Sequence, residues 1–279
     1  MRSNMKMAGH KTLGALTHLR LTLKENSYSF LNQSLRHYRK TGRNVQEWPL
    51  ALLHITQCLE LLLKQVLKEV HPILIYEDID HPKRTVSLEQ ALGRLQALGI
   101  IVEDKEKVNI RKAADYRNRV VHYEVELNKF EWKNLYAQLF EFVHFFHHRH
   151  LKGEIHPHVA RDNWPVEAQL MHYFKHNFVL YNGTEMHKDN PRDIIAAQRI
   201  AFFRDGRRKY NRFRYGDEPE YLAISPDFAD IPCHDCFVVK GQYHTEGCDM
   251  EECPKCRGQL LGCGCWYKPR GLQFPSPTS

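Results

Sequence analysis

Apolar side chains recur at three- and four-residue intervals from Leu13 to about Arg149, with a break around Thr41 to Gln46 where TGRNVQ supplies turn chemistry. That spacing lays a stripe along a helix, so the first half of the chain is expected to be helical. In WPLALLHITQCLELLLKQVLKEV, Pro49 fits the first turn. Leu52, Ile55, Leu59, Leu62, Leu63, Val66 and Leu67 form a stripe wide enough for a bundle core. Cys58 on this segment reads as a small core residue. HPILIYEDIDHPKRTVS reads as an irregular connection, after which Ser87 opens a short helix, LEQALGRLQALG, that ends at a glycine. EKVNIRKAADYRNRVVHYEVEL and FEWKNLYAQLFEFVHFFHHRH complete a four- or five-helix bundle. On the last helix, Leu135, Leu139, Phe142, Val143 and Phe146 read as core or as part of a dimer surface. His144, His147, His148 and His150 read as a solvated, histidine-rich helix end rather than a metal site, because only Glu141 and Glu154 lie near them in sequence.

After His150 the pattern changes, with Pro157, Pro165, Asn182, Gly183 and Pro191 replacing the helical stripes. PRDIIAAQRIAFF suits a helix opened by Pro191, RRKYNRFRYGDE suits strands around a turn, and RGLQFPSPTS suits a disordered tail. The expected organisation is a mainly α chain: a helical bundle over 1–150, a connecting α+β region with a basic aromatic segment over 151–230, a zinc ribbon or knuckle module over 231–268, and a tail over 269–279.

Seven of the eight cysteines fall between Cys233 and Cys265. A C-x2-C pair lets one tight turn aim two sulfurs at a tetrahedral ion, and Cys233/Cys236 and Cys253/Cys256 flank sixteen residues, a recognised zinc spacing. His244, Cys248, Cys263 and Cys265 bring the donors to the number that two closed sites consume, so two structural Zn2+ ions are expected. The pairing stays open. Each half could close its own site, the two C-x2-C pairs could share one ion, and His234 could replace His244. A disulfide framework is disfavoured because MRSNMKMAGHKTLGALTHLRL lacks the uninterrupted apolar run of a signal peptide. A catalytic zinc is disfavoured because the thiolates fill every position.

Composition is that of a globular protein, with 42% apolar and 26% charged residues and no run of about 18 uncharged apolar residues, which points to a cytoplasmic protein without a membrane span. The net charge of +7 fits an anionic partner. The basic run Arg204, Arg207, Arg208, Lys209, Arg212 and Arg214, interleaved with Phe203, Tyr210, Phe213 and Tyr215, is expected to hold phosphates while its aromatics stack on unpaired bases. The alternative is a basic strand pair whose aromatics pack inward.

The late helix of the bundle carries Arg117, Asn118 and His122 as Arg-Asn-x3-His. Asn118 and His122 share a helix face, whereas Arg117 and His122 lie about 140° apart on an ideal helix, so the arginine must reach around or the helix must distort. With these residues and the earlier CLELLLK helix, positions of about 12 to 150 resemble a HEPN domain, whose ribonuclease members carry Arg-x4-6-His. The resemblance implies metal-independent RNA cleavage, in which the 2'-hydroxyl attacks the adjacent phosphate to leave 2',3'-cyclic phosphate and 5'-hydroxyl ends. It assigns proton transfer to His122, charge stabilisation to Arg117, orientation to Asn118, and places Glu60 beside the arginine. It further implies a homodimer with a composite site, and a toxin or phage-defence role with an antitoxin or regulatory partner. HEPN/MNT toxins often carry tyrosine two residues after the histidine. Here Tyr123 follows directly and Glu124 holds that place, so regulation through that tyrosine is not implied. The stretch YGDEPEYL followed by IPCHDC is similar to zinc-binding segments of bacterial and phage proteins. The competing expectation is a noncatalytic dimeric scaffold that binds nucleic acid or protein through its zinc module.

Overall fold

The computed structural model describes residues 20–100, 102–122 and 129–266, without the side chains of Lys105, His122 and Lys129. The expected tail over 269–279 lies outside the described residues, as does the start of the helical pattern at Leu13. Five helices form the N-terminal part: α1 Leu23–Lys40, α2 Glu47–Val70, α3 Leu88–Ala97, α4 Asp104–His122 and α5 Lys129–Leu151. Capping boxes start α1, with Thr22 and Glu25 bonding each other's backbone N–H, and α3, with Ser87 and Gln90 doing the same.

Helix α2 packs against α1, α3, α4 and α5. It is apolar nearly all round, with Leu61, Leu62 and Leu63 all buried, which is the signature of a helix surrounded by others. Its length and composition would also suit a membrane span, yet its apolar window is mostly covered by the rest of the chain. The Ser34 hydroxyl bonds Ala51 O at 2.7 Å and Tyr136 Oη at 2.6 Å, pinning α1 to α2 and α5 from inside the core. Cys58 is fully buried, and burial pushes its thiol up.

The buried cluster continues without a break from Leu31 to Cys248, so the change in composition after His150 is not a break in packing. Helix α6, Trp164–His172, lies on α1 and α5. Asn32 of α1 clamps the preceding loop, donating to His158 O and accepting from Ala160 N–H. Hairpin β1 Phe178–Tyr181 and β2 Thr184–His187 turns on Asn182-Gly183, both with positive φ, the favoured geometry for a two-residue turn. This hairpin goes unseen when Asn182 and Gly183 are read only as helix breakers. Helix α7, Asn190–Ala197, has Pro191 in its first turn. Hairpin β3 Phe202–Asp205 and β4 Arg208–Asn211 follows, so the strands start earlier than RRKYN and RFRYGDE is not a strand. Helix α8, Pro219–Ile224, completes the eight α-helices among the described residues, and the two hairpins are separate two-stranded antiparallel sheets.

Of the two roles expected for Leu135, Leu139, Phe142, Val143 and Phe146 on α5, the structure bears out the core role, since all five are buried inside the chain. The histidine-rich end is solvated only in part: the segment 152–176 covers His144 and His147, whereas His148 is exposed and His150 half-buried. His144 is 1% exposed, lies against the Phe174 ring and leaves Nδ1 without a partner among the described residues. His147 sits between Tyr28 Oη at 2.7 Å and Gly153 O at 3.0 Å. Burial lowers His144 to about 3 and His147 to about 4. Within this segment a further buried pair, His156 with Glu167 at 2.8 Å, joins the loop after α5 to α6.

A histidine whose folded pKa lies below its unfolded value of about 6.5 contributes stability that is complete above that value and declines as pH falls toward the folded pKa. The slope for His144 is about 1.4 kcal/mol per pH unit below pH 6. Neighbouring His147, His148, His156 and His176 add repulsion in the same direction. The urea midpoint is expected to drop between pH 7 and pH 5, and less steeply in His144→Phe. An equal drop in both proteins would assign the acid sensitivity elsewhere.

Candidate metal centres and the polar site on α4

Two C-x2-C turns build the donor sets, and their backbones match. Cys233 N–H bonds Val238 O at 2.9 Å and Phe237 N–H bonds Cys233 O at 2.9 Å. Cys253 N–H bonds Gly258 O at 2.7 Å and Arg257 N–H bonds Cys253 O at 2.9 Å. Each loop closes through a left-handed residue after its second cysteine, Phe237 at φ 60° and Arg257 at φ 70°. Bulky side chains rarely occupy that region, so two in equivalent positions mark loops constrained by their cysteines.

Each half gathers its own four donors. Cys233, Cys236, His244 and Cys248 form one cluster, Cys253, Cys256, Cys263 and Cys265 the other, with ligand atoms in each within 4.8 Å of one another. A tetrahedron with zinc–sulfur bonds of ~2.3 Å has sulfur–sulfur edges of ~3.8 Å. Cys233 Sγ and Cys248 Sγ stand 3.8 Å apart, and His244 Nδ1 lies 3.3 Å from Cys236 Sγ and 3.1 Å from Cys248 Sγ. Both clusters are compatible with zinc. The shared-ion arrangement does not occur, and His234 is exposed, 3.9 Å from Asp249, outside the donor set.

The first centre is buried. His244 turns its other nitrogen to Glu218 Oε1 at 2.9 Å, and both side chains are fully enclosed. Glu218 Oε2 accepts Gly216 N–H at 2.7 Å. A carboxylate on the far nitrogen fixes the ring and its tautomer and raises ligand basicity. Gly216 has φ 94°, and a Cβ there would lie 2.9 Å from Lys240 Cγ, so the turn that presents Glu218 requires glycine. Sequence reasoning passes over Glu218 as a site residue, although the YGDE stretch was its signal. The second centre is more open, with Cys256 exposed and Cys263 and Cys265 half-buried. Its Cys253 sulfur accepts Trp266 Nε1–H at 3.2 Å and Lys255 N–H at 3.4 Å.

The basic run divides. Arg212 is 7% exposed: Nε and one terminal nitrogen bond both oxygens of Glu251 at 2.7 and 2.9 Å, and the guanidinium also bonds Ile200 O and His244 O. Those bonds leave it no capacity for phosphate, which corrects its expected role. Burial pushes the Glu251 carboxyl up and Arg212 pulls it back. Arg204, Arg207, Arg208, Lys209 and Arg214 are exposed, and Arg214 bonds Gly241 O at 2.5 Å. The expected stacking aromatics point elsewhere. Phe203 and Tyr210 pack on Trp266, Arg257 covers Phe213, and Tyr215 is buried with its hydroxyl on Phe228 O and Ile231 O.

On the bundle, α4 runs as regular helix through Arg117 and Asn118 to His122, so it does not distort to bring the three onto one face. The His122 side chain lies outside the described residues. Asn118 is exposed, whereas Arg117 faces α2, one terminal nitrogen 3.7 Å from Glu60 Oε2. That distance is an ion pair without a hydrogen bond. Glu60 Oε1 accepts Lys64 Nζ at 2.6 Å, and Lys64 also bonds Thr85 Oγ1 at 3.0 Å. Arg117 Nε is buried with no partner among the described residues.

Removing one member of a buried, hydrogen-bonded ion pair costs about 3–5 kcal/mol, against about 0.5 kcal/mol or less for an exposed charge. Arg212→Ala is therefore expected to destabilise the C-terminal half strongly in thermal melts, and Arg207→Ala to leave it unchanged. Similar melts for the two would refute the buried role. Glu218→Ala is expected to weaken metal binding at the first centre by about 10–100-fold without affecting the second, as read by competition with a chromophoric chelator. No protein-family model, curated protein or solved structure matches the chain.

Proposed function

We propose that the chain is a cytoplasmic, metal-independent endoribonuclease of the HEPN type, acting as a homodimer, with a C-terminal module held by two structural zinc ions. The reading rests on one observation above others. Arg117 of the Arg-Asn-x3-His unit stands where α4 meets α2, its guanidinium 3.7 Å from a carboxylate that Lys64 already holds. Such an arginine is oriented by charge but not consumed by hydrogen bonds, and its terminal nitrogens remain for a phosphate.

In the proposed reaction His122 takes the proton of a ribose 2'-hydroxyl, whose oxygen attacks the adjacent phosphorus while the 5'-oxygen leaves and is protonated. The products are a 2',3'-cyclic phosphate and a 5'-hydroxyl. Arg117 stabilises the charge that accumulates on the phosphorane, and Asn118 orients the imidazole or the ribose. One imidazole does not serve as base and acid in the same step, so His122 of the partner subunit supplies the second proton. A bacterial toxin or phage-defence effector restrained by an antitoxin or regulatory partner fits this chemistry.

A noncatalytic dimeric scaffold is the competing reading, and one observation favours it: a buried Glu60–Lys64 pair beside an arginine is also what a purely structural polar cluster looks like. The two part in an assay of zinc-loaded protein on mixed RNA with EDTA, zinc content being measured before and after. Wild type is expected to yield cyclic-phosphate ends, and His122→Ala and Arg117→Ala to lose about 10²-fold or more in rate with folding intact. No cleavage by the wild type, or equal cleavage by all three, would sink the nuclease reading.

A further inference from the structure

The register of the β3–β4 hairpin sets Arg204 directly opposite Lys209. Like charges in a cross-strand pair destabilise a hairpin by a few tenths of a kcal/mol or more, so the pair is not there for stability. Phe202 shares their face, with the Arg204 guanidinium 5.3 Å and the Lys209 ammonium 4.8 Å from its ring centre. Arg207 lies exposed in the connecting turn. Asp205, the one acidic residue of the hairpin, alternates to the opposite face, where Lys255 holds it at 2.9 Å. The front face therefore combines three exposed cations with a part-exposed aromatic ring and no acid.

The back face is built differently. Phe203 and Tyr210 pack on Trp266, with ring centres 5.2 and 5.5 Å away. Trp266 donates to Cys253 Sγ, and Lys255, which ties Asp205, sits inside the loop between Cys253 and Cys256. Every one of these back-face ties leads to the second cysteine centre. A metal ion that orders this loop orders the hairpin with it.

We infer that the front face binds single-stranded RNA, an unpaired base stacking on Phe202 while Arg204, Lys209 and Arg207 hold the flanking phosphates, and that the second metal centre is the mount of this surface. One ring between two cations suits a strand whose bases are free, whereas a duplex keeps its bases stacked and shows only phosphates. A protein partner would call for a broader apolar core than this ring provides. The inference rests on the nuclease reading only in taking RNA as the substrate.

Binding is measured by fluorescence anisotropy with a labelled oligouridylate and a duplex RNA of equal length, on the full zinc-loaded chain carrying His122→Ala so that nothing is cut. The double variant Arg204→Gln/Lys209→Gln removes the like-charge pair. It is expected to melt no lower than the parent, yet to bind the single strand roughly tenfold or more weakly, with a salt slope smaller by about 1.4. Cys256→Ser is expected to lower the zinc content from about two ions to about one and to weaken RNA binding similarly. Lys255→Ala keeps every cysteine and cuts the tie to Asp205, so it reports on the mount even if Cys256→Ser fails to fold. Undiminished affinity in the double variant, equal affinity for duplex, or affinity that survives both mount variants would overturn the inference. Cleavage is scored separately with His122 restored. Binding through the hairpin without cleavage would sink the nuclease reading alone, and cleavage without a hairpin contribution would sink this inference alone.

Discussion

A guanidinium buried at Arg212 joins the parts of the C-terminal half. Its bidentate partner, Glu251, lies between the last ligand of the first cysteine cluster and the first ligand of the second, and its other donors reach Ile200 O after α7 and His244 O within the first cluster. An arginine stripped of water is tolerable only when its donors are matched, and here the matching groups come from separate segments of chain. Each segment is thereby fixed relative to the others. The first centre inherits its His244 orientation from this frame and from Glu218, and the second inherits the position of its loop.

The same demand for satisfied polar groups runs through the bundle. Ser34 and Tyr136 bond across three helices, His156 pairs with Glu167, and Lys64 finds Glu60 and Thr85. The demand is not met everywhere: Arg117 faces a carboxylate at ion-pair distance and leaves Nε unmatched among the described residues, as Trp48 Nε1, His144 Nδ1 and Glu167 Oε1 are also left.

The two candidate metal centres differ in exposure. The first is enclosed, braced by a buried carboxylate and continuous with the hydrophobic core through Cys233, Cys236 and Cys248. The second is more open, with Cys256 exposed, and it is tied both to the basic hairpin through Lys255 and to Glu251 through Leu260 N–H.

Helices, their caps and the two groups of cysteines were legible in the sequence because each depends on residues a few positions apart. The stripe on α2, the Ser87 cap and the C-x2-C turns are all local patterns. The sequence by itself left open how the donors group, and the structure gathers each knuckle with its own downstream donors into a set compatible with zinc. Nor could it separate Arg212 from Arg204, Phe203 from Phe202, or His144 from a solvated histidine, since each pair looks alike in local composition. Those distinctions follow from strand register and from the segment that folds back over α5, contacts between residues far apart in the chain. Local spacing decided which side chains could act, and tertiary packing decided which of them are buried and already paired.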